Sequence, residues 1–420
     1  MLDRSQPPPV VQPSRLRLPH PRTYTLRNGI PVYAISMGTQ EIVKVELVFY
    51  AGRPYESAPL VARATASLLK EGTIPYEAAA IAERLDFYGG TLNASTNMDT
   101  ASVILYSLNK HLEPLLDVLA AVLTQPTFPE KELTTFVDRN KQRLQVDLER
   151  SDVVAYREVT DRIFGATHPY GYNSTEAAYD ALTREQLVAH YRRCYTAGNC
   201  QIIVSGRLRG DMRELLDRYC GAIPAGERLQ VTLDRQSPAP GRVRIASKEA
   251  VQSAIRLGCR LDLSEEERYQ MLVLDVILGG YFGSRLMANV REDKGYTYNI
   301  FSSYERLLQG AFFYIGTEVG KEVEQLALRE IHREMARLRE ELIDEEELAM
   351  VRNYMLGTFL TALDGPFNIS EIVRGLVIEG RSFDQPERMI RAVKTVDART
   401  LRALARRVLL PEQMWTVIVG

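Results

Sequence analysis

The stretch Tyr195–Gly206, which reads YTAGNCQIIVSG, returns at the end of the chain as Leu409–Gly420, which reads LLPEQMWTVIVG. Each copy runs from a turn-like segment into a short apolar run that ends at glycine, the pattern of a buried strand. Tyr195 corresponds to Leu409, so the two copies lie about half a chain length apart. A repeat at this spacing predicts two homologous halves of domain size.

Other segments recur at nearly the same offset. A helical pattern precedes each copy, at 183–191 and again at 397–405, and Phe128–Leu133 corresponds to Ile343–Leu348. The seam between the halves is a polar stretch punctuated by proline and glycine. We therefore predict an extended proline-rich arm over 1–21, an N-terminal domain over 22–232, a linker over 233–241 and a C-terminal domain over 242–420.

Each half mixes strand and helix patterns. Val43, Val45 and Leu47 alternate with other residues, the period of two expected from a sheet with one buried face. Leu328 and Ile331 begin a series at helical spacing. Runs of strand followed by runs of helix predict the α+β class, in which each domain is a mostly antiparallel sheet with helices packed on one face.

Composition is typical of a globular protein and excludes several classes of partner. The chain has 420 residues, of which 45% are hydrophobic and 25% charged. A net charge of -2 argues against nucleic acid or an anionic membrane as a partner, and no apolar run is long enough to span a bilayer. The four cysteines show no Cys-x-x-Cys spacing, and the start has no apolar core of signal-peptide length. These features predict reduced thiols and a cytoplasmic location.

Two segments of the first half carry a family resemblance. They are Pro59–Thr73, which reads PLVARATASLLKEGT, and Leu85–Thr96, which reads LDFYGGTLNAST. Both resemble the first domain of the pitrilysin, or insulinase-type, zinc metallopeptidases. In that family the helix ending at the Gly-Thr pair carries the inverted zinc motif His-x-x-Glu-His, and the alignment places the motif at residues 63–67, which read RATAS.

The residues at these positions lack the donors that catalytic zinc needs. Such a site takes about three imidazole or carboxylate ligands and keeps one position open for water. Arg63 is a cation, Ala66 has no donor, and Ser67 offers only a neutral hydroxyl. The family's third ligand is a Glu on a later helix, and its counterpart here is Leu144. We therefore expect no cofactor on this chain, and the resemblance implies zinc in a homologous partner subunit.

A segment of the second half matches the C-terminal-domain signature of the same family. Residues 279–298 read GGYFGSRLMANVREDKGYTY. In the two-component bacterial members, the subunit without zinc carries an Arg and a Tyr here that complete the active site, and the resemblance implies that role for Arg291 and Tyr298. A guanidinium and a phenol hydroxyl can stabilise the negative charge that develops on an attacked peptide carbonyl.

Local patterns around this pair leave alternatives open. Gly295 is expected to end the helix that bears Arg291, and the Tyr-Thr-Tyr run is predicted to begin a strand. On one strand face Tyr296 competes with Tyr298 for the catalytic role. Without the resemblance, an Arg in a last helical turn and a Tyr in a strand are more often a solvated residue and a packed one.

The strand predicted at 91–96 is a second candidate site. In catalytic relatives this strand lies at a sheet edge and binds a peptide by strand addition, so the resemblance implies substrate binding at Asn93 and Ala94. The alternative is that a retained edge strand only folds the domain.

Three functions remain open from the sequence. The first is a non-catalytic subunit of a heterodimeric zinc peptidase that acts on peptides. The second is a non-proteolytic scaffold, comparable to the core subunits of respiratory complexes that resemble this family. The third is an independent peptide-binding protein or homodimer with no chemistry. Retention of the Arg and Tyr without the zinc ligands favours the first, because a scaffold has no chemical reason to keep that pair.

Overall fold

The computed structural model describes residues 17–247 and 251–420. Most of the predicted proline-rich arm, residues 1–16, lies outside the described residues. The remainder of that arm contacts both the core of the first sheet and the second half of the chain. Leu18 is buried, and Arg17 and His20 lie 3.8 Å from Glu387 and 3.6 Å from Asp384, respectively.

The strands form two sheets. Their bounds are β1 Arg22–Thr25, β2 Pro31–Ser36, β3 Ile42–Phe49, β4 Thr91–Thr96, β5 Ala101–Leu108, β6 Cys200–Gly206, β7 Arg242–Ile245, β8 Gln252–Arg260, β9 Ile300–Leu307, β10 Gly310–Gly320 and β11 Trp415–Val419. The first sheet has the order β1-β2-β6-β3-β5-β4, and the second has the order β7-β11-β8-β10-β9. One pair in each sheet is parallel, β2 with β6 and β7 with β11, and all other pairs are antiparallel.

Helices connect these strands. They are α1 Val61–Leu68, α2 Ala78–Tyr88, α3 Leu112–Thr124, α4 Glu130–Leu148, α5 Ser151–Phe164, α6 Glu176–Asp180, α7 Arg184–Cys194, α8 Met212–Tyr219, α9 Glu265–Asp275, α10 Glu324–Glu340, α11 Glu345–Ala362, α12 Gly365–Ile378, α13 Gln385–Thr395 and α14 Ala398–Val408. Two π-helical segments, Val276–Gly280 and Met287–Asp293, follow α9.

The repeat seen in the sequence is a repeat of structure. After the extra strand β1, the two sheets have the same strand order and the same single parallel pair. Helices α7 and α14 stand at the offset of the sequence repeat, and the side chains of Thr183 and Asp397 cap their N-termini. The predicted α+β class with two homologous, mostly antiparallel units is confirmed, whereas the domain boundaries stay predictions.

The two halves exchange one helix each. Helix α5, from the first half, packs through Ala155, Val159 and Ile163 against β8 and β11 of the second sheet. Helix α12, the counterpart of α5 at the same offset, packs through residues such as Ile369 and Val373 in the core of the first sheet. The exchange joins both cores into one structure, because each sheet buries apolar surface from the other half.

Helix α12 also covers the face of strand β3 that the sequence pattern left exposed. The alternation in this strand predicts one buried face, yet Lys44 and Glu46 on the opposite face are each only 1% exposed. The Lys44 ammonium lies 2.8 Å from Glu46 and also pairs with Glu371 of α12, and Arg374 of α12 lies 3.5 Å from Glu46. Burial alone would lower the pKa of Lys44, but these carboxylates raise it. Both faces of β3 are therefore covered, one of them across a buried ion cluster.

Candidate functional site

Helix α1 carries residues 63–67, the positions to which the resemblance assigns the zinc motif. Arg63 is exposed on this helix. Its Nη2 donates to Oδ1 of Asn140 on α4 at 3.0 Å, and its Nη1 donates to the Tyr179 hydroxyl at 3.3 Å. The Asn140 amide nitrogen is itself committed to the Phe136 carbonyl at 2.7 Å, which turns Oδ1 toward the guanidinium. Arg63 thus links the two helices to which the resemblance assigns zinc ligands.

These side chains do not fit a zinc ion. Arg63 brings a positive charge, Ala66 is buried without a donor, and Leu144 is an apolar residue only 5% exposed. A divalent zinc needs neutral imidazole, thiolate or carboxylate donors in a tetrahedral set. Within 17–247 and 251–420, no group of three His, Cys, Asp or Glu side chains is arranged to hold a metal ion.

The N-terminal end of α1 is held by a half-buried carboxylate. Glu56 accepts the backbone N–H of Ala62 at 3.0 Å and the hydroxyl of Tyr172 at 2.5 Å. A carboxylate at this end of a helix satisfies an otherwise free N–H and is favoured by the helix dipole. Burial raises the pKa of Glu56 above its usual range, although the two hydrogen bonds and nearby Arg53 act in the opposite direction.

Asn93 and Ala94 lie on an edge strand. Strand β4 pairs with β5 on one side only, with Asn93 opposite Ile104 and Ala94 opposite Val103. Asn93 is exposed and Ala94 is half-buried. The other edge of β4 borders a cavity of about 550 Å³ that Ala94 and Arg63 both line. An extended peptide that joined this edge would therefore lie beside α1.

Arg291 lies in the π-helical segment Met287–Asp293. As the sequence predicts, Gly295 ends this segment, since it has a φ of +63° and donates its N–H to the Arg291 carbonyl at 3.1 Å. The guanidinium carbon lies 4.4 Å from the ring centroid of Phe282, which is 63% exposed. Nη1 of Arg291 is buried and has no hydrogen-bond partner among the described residues. The planar cation is oriented by an aromatic ring, and its Nη1 donor is left unpaired.

The prediction of a strand at Tyr296–Tyr298 is wrong, because β9 begins only at Ile300. The two tyrosines therefore do not share a strand face. Tyr296 is half-buried and packs against the core of the second half, whereas Tyr298 is 91% exposed. The sequence left Tyr296 and Tyr298 as competing candidates, and Tyr298 is the more exposed of the two.

Thr297 is a residue that the sequence argument missed. Its hydroxyl donates to the Glu318 carbonyl at 2.6 Å and accepts the Asn299 N–H at 3.1 Å, and the Thr317 hydroxyl lies 3.1 Å away. These contacts fasten the segment between two tyrosines to the end of β10, so that the Tyr298 side chain is presented from a fixed backbone. A threonine between two aromatic residues resembles an ordinary strand pattern, so nothing in the sequence indicated that Thr297 holds this segment against β10.

The four predicted site residues form two separate pairs. Asn93 and Ala94 lie on β4, and Arg291 and Tyr298 lie just before β9. These strands occupy equivalent edges of the two sheets. In the described part of the chain, no hydrogen bond, ion pair or ring contact joins one pair to the other.

Two models of one peptidase family match the chain. The model described as "Insulinase (Peptidase family M16)" matches residues 32–182, and the model described as "Peptidase M16 inactive domain" matches residues 181–355. Together they cover residues 32–355, which include both candidate sites and leave out β1 and β11.

Individual relatives are distant in sequence but close in fold. An uncharacterized zinc protease of Bacillus subtilis is 25% identical over 351 residues, which cover 82% of this chain and 84% of that protein. The crystal structure of a peptidase M16 inactive domain from Pseudomonas fluorescens has a TM-score of 0.87 at 23% identity, over 95% of this chain and 98% of that one. A protease structure from Helicobacter pylori has a TM-score of 0.88 at 15% identity, over 96% and 100%.

Proposed function

The chain belongs to the M16 family of insulinase-type peptidases, and from that premise we propose that it is the non-catalytic subunit of a heterodimeric zinc metallopeptidase that degrades peptides. In this proposal a homologous subunit with an intact His-x-x-Glu-His motif holds the zinc. This chain contributes Arg291 and Tyr298 to the substrate in that active site and offers β4, with Asn93 and Ala94, as a peptide-binding edge.

The proposal rests on the orientation of the Arg291 side chain and the exposure of Tyr298. The Arg291 side chain is oriented by Phe282 and has one nitrogen without a partner, and the hydroxyl-bearing ring of Tyr298 is almost fully exposed. The fold of the described residues leaves the donors of both groups unused. Both are donors that can stabilise an oxyanion when a partner activates the attacking water.

The two other functions are less well supported. A scaffold needs neither an oriented guanidinium nor an exposed tyrosine, and an independent peptide-binding protein needs only the β4 edge. No helix in the described part of the chain combines the length and apolar character that a bilayer crossing requires. We place the protein in the cytoplasm as part of the same proposal, supported by four free, buried cysteines.

The test is reconstitution with a zinc-bearing M16 subunit from the same genome. We expect the purified chain to cleave no peptide and the mixture to cleave an unstructured peptide. In the mixture, Arg291→Ala or Tyr298→Phe should lower kcat about 100-fold, the usual cost of losing one oxyanion donor. Zinc analysis of each purified subunit should assign the ion to the partner.

Matched variants separate chemistry from folding. Arg333→Ala removes an exposed arginine of α10, and Tyr296→Phe removes the hydroxyl of the packed tyrosine. Both should leave turnover within about two-fold, an effect well below one kcal/mol. Full activity in Arg291→Ala and Tyr298→Phe would assign the pair to structure alone.

A further inference from the structure

We propose that the cavity around Arg63 binds a carboxylate group of an extended peptide, at the place where catalytic relatives hold their metal. The proposal concerns the chain by itself and does not depend on a partner subunit. It rests on the shape of the cavity, its uncompensated positive charge and the open strand edge beside it.

The cavity is large enough for several peptide residues. The space of about 550 Å³ between α1 and the β4 edge adjoins a second space of about 270 Å³ that continues between α4 and α5. Both are lined by Arg53, Arg63, Met98, Tyr172 and Ser174. Arg63 therefore stands at the junction of the two, where a side chain or a chain end entering from the β4 edge would meet it.

Three arginines that face this space form no ion pair with a described residue. Arg63 bonds the Asn140 and Tyr179 oxygens, Nη1 of Arg53 bonds the carbonyls of Pro169 and Tyr172, and Arg157 bonds the hydroxyl and carbonyl of Ser174. All six acceptors are neutral. In the described part of the chain, no carboxylate lies within 4.0 Å of any of these three guanidinium groups. An arginine cluster of this kind is normally matched by an anion.

The nearby acidic groups do not cancel this charge. Asp147 lies 3.7 Å from Arg143, a fourth arginine of the lining, and so offsets that residue. Glu56, which accepts from Ala62 and Tyr172, is the other acidic residue of the lining, so two carboxylates stand against four arginines. The cavity is therefore net positive in a chain whose overall charge is -2, which favours a small, local anion over a long polyanion.

Arg63 is preorganised for such a ligand. Two hydrogen bonds fix the plane of its guanidinium, whereas the group has five N–H donors in all. The side chain is exposed, so the remaining donors can be reached from the cavity. A carboxylate is the planar anion that this fork matches in two parallel hydrogen bonds. The edge of β4 supplies main-chain pairing for the peptide that carries it.

The experiment measures peptide binding to the full chain alone by fluorescence anisotropy. The probes are three labelled peptides of one neutral, unstructured sequence: one with an amidated C-terminus, one with a free C-terminal carboxylate, and one amidated with a single internal glutamate. We expect one or both acidic peptides to bind about ten-fold tighter than the neutral one, the size of a charge-assisted hydrogen bond. The acidic peptide that gains affinity identifies the source of the carboxylate.

Variants assign the preference to this cavity. Arg63→Gln should reduce the preference to less than about two-fold, whereas Arg333→Gln, which removes the same charge from α10, should leave it unchanged. Arg157→Gln weakens the same cavity from α5 and serves if Arg63→Gln unfolds, as judged by thermal denaturation. Equal binding of all three peptides by the native chain, or an undiminished preference in the folded cavity variant, would overturn the proposal. Neither result bears on the paired peptidase assay, which depends on Arg291 and Tyr298.

Discussion

At the scale of single residues, His190 links the stability of the first half to pH. It lies on α7 and is only 4% exposed, and its Nε2 is 3.1 Å from the Ala51 carbonyl. Burial lowers the pKa of His190 to about 4, because the charged imidazolium would lose its hydration. The folded state therefore keeps this residue neutral at a pH at which the unfolded chain already binds a proton.

The sign of the effect follows from this difference. In the unfolded chain the histidine titrates near its usual pKa of about 6.5, so its contribution to stability is present above that pH and is lost as the pH falls toward the folded value. Between about pH 7.5 and about pH 4.5 the native chain should lose roughly 2.5 kcal/mol more than His190→Gln, whose amide keeps a donor for Ala51. Urea unfolding of both proteins at the two pH values measures this. Equal losses in the two proteins would contradict it.

At the scale of elements, the attachment of α12 to β3 depends on buried charge. Lys44 and Glu46 are almost fully covered and are matched by Glu371 and Arg374 on α12. Such a cluster adds little net stability over an apolar contact, but it is intolerant of losing one member, because the remaining charges stay desolvated. It therefore defines where α12 docks more than how strongly it binds.

We expect Lys44→Met to destabilise the chain by about 3–5 kcal/mol, because Glu46 then stays buried beside Glu371 with only Arg374 for compensation. The double variant Lys44→Met with Glu46→Leu should recover part of that loss. Arg207→Met is the matched control, since its pair with Glu41 is more than half exposed, and it should cost less than about 1 kcal/mol. Chemical denaturation of the native chain and the three variants provides these values. A loss from Lys44→Met no larger than that of the control would show that the cluster is dispensable.

At the scale of the whole molecule, the reciprocal exchange of α5 and α12 makes each half incomplete alone. Helix α5 covers β8 and β11, and α12 covers part of the first sheet. If the chain is cut but the halves stay together, the sheet faces under α5 and α12 remain covered. If the halves separate, both faces are exposed to water. Apolar surface of this extent leads to aggregation when it is not covered.

The two halves, divided between Gln236 and Ser237, should therefore be insoluble or only partly folded when expressed separately. Expressed together they should copurify as one complex with a single unfolding transition. The measurements are soluble yield, copurification through a tag on one half, and calorimetry. A soluble monomeric half with its own cooperative transition would contradict the expectation, because it would show that its exchanged helix is not needed.

Local sequence patterns predicted much of the fold of this protein. The repeat of Tyr195–Gly206 at the chain end, the α+β class and the end of the helix at Gly295 depend on residues close together along the chain, and the structure agrees with them. The strand start at Tyr296 failed because β-like composition does not determine where pairing begins, and here Thr297 holds the segment against β10 outside the ladder.

Other features depend on which surfaces meet in three dimensions. Arg63 donates a hydrogen bond to Asn140, which is 77 residues away in the sequence, and Lys44 donates one to Ser370, which is 326 residues away. A helix shows which of its faces is apolar but not which sheet that face will cover, so the exchange of α5 and α12 left no mark in either segment. Hydrophobic burial is non-directional and is satisfied by any complementary face. The choice among such faces is made by packing of the whole chain at once.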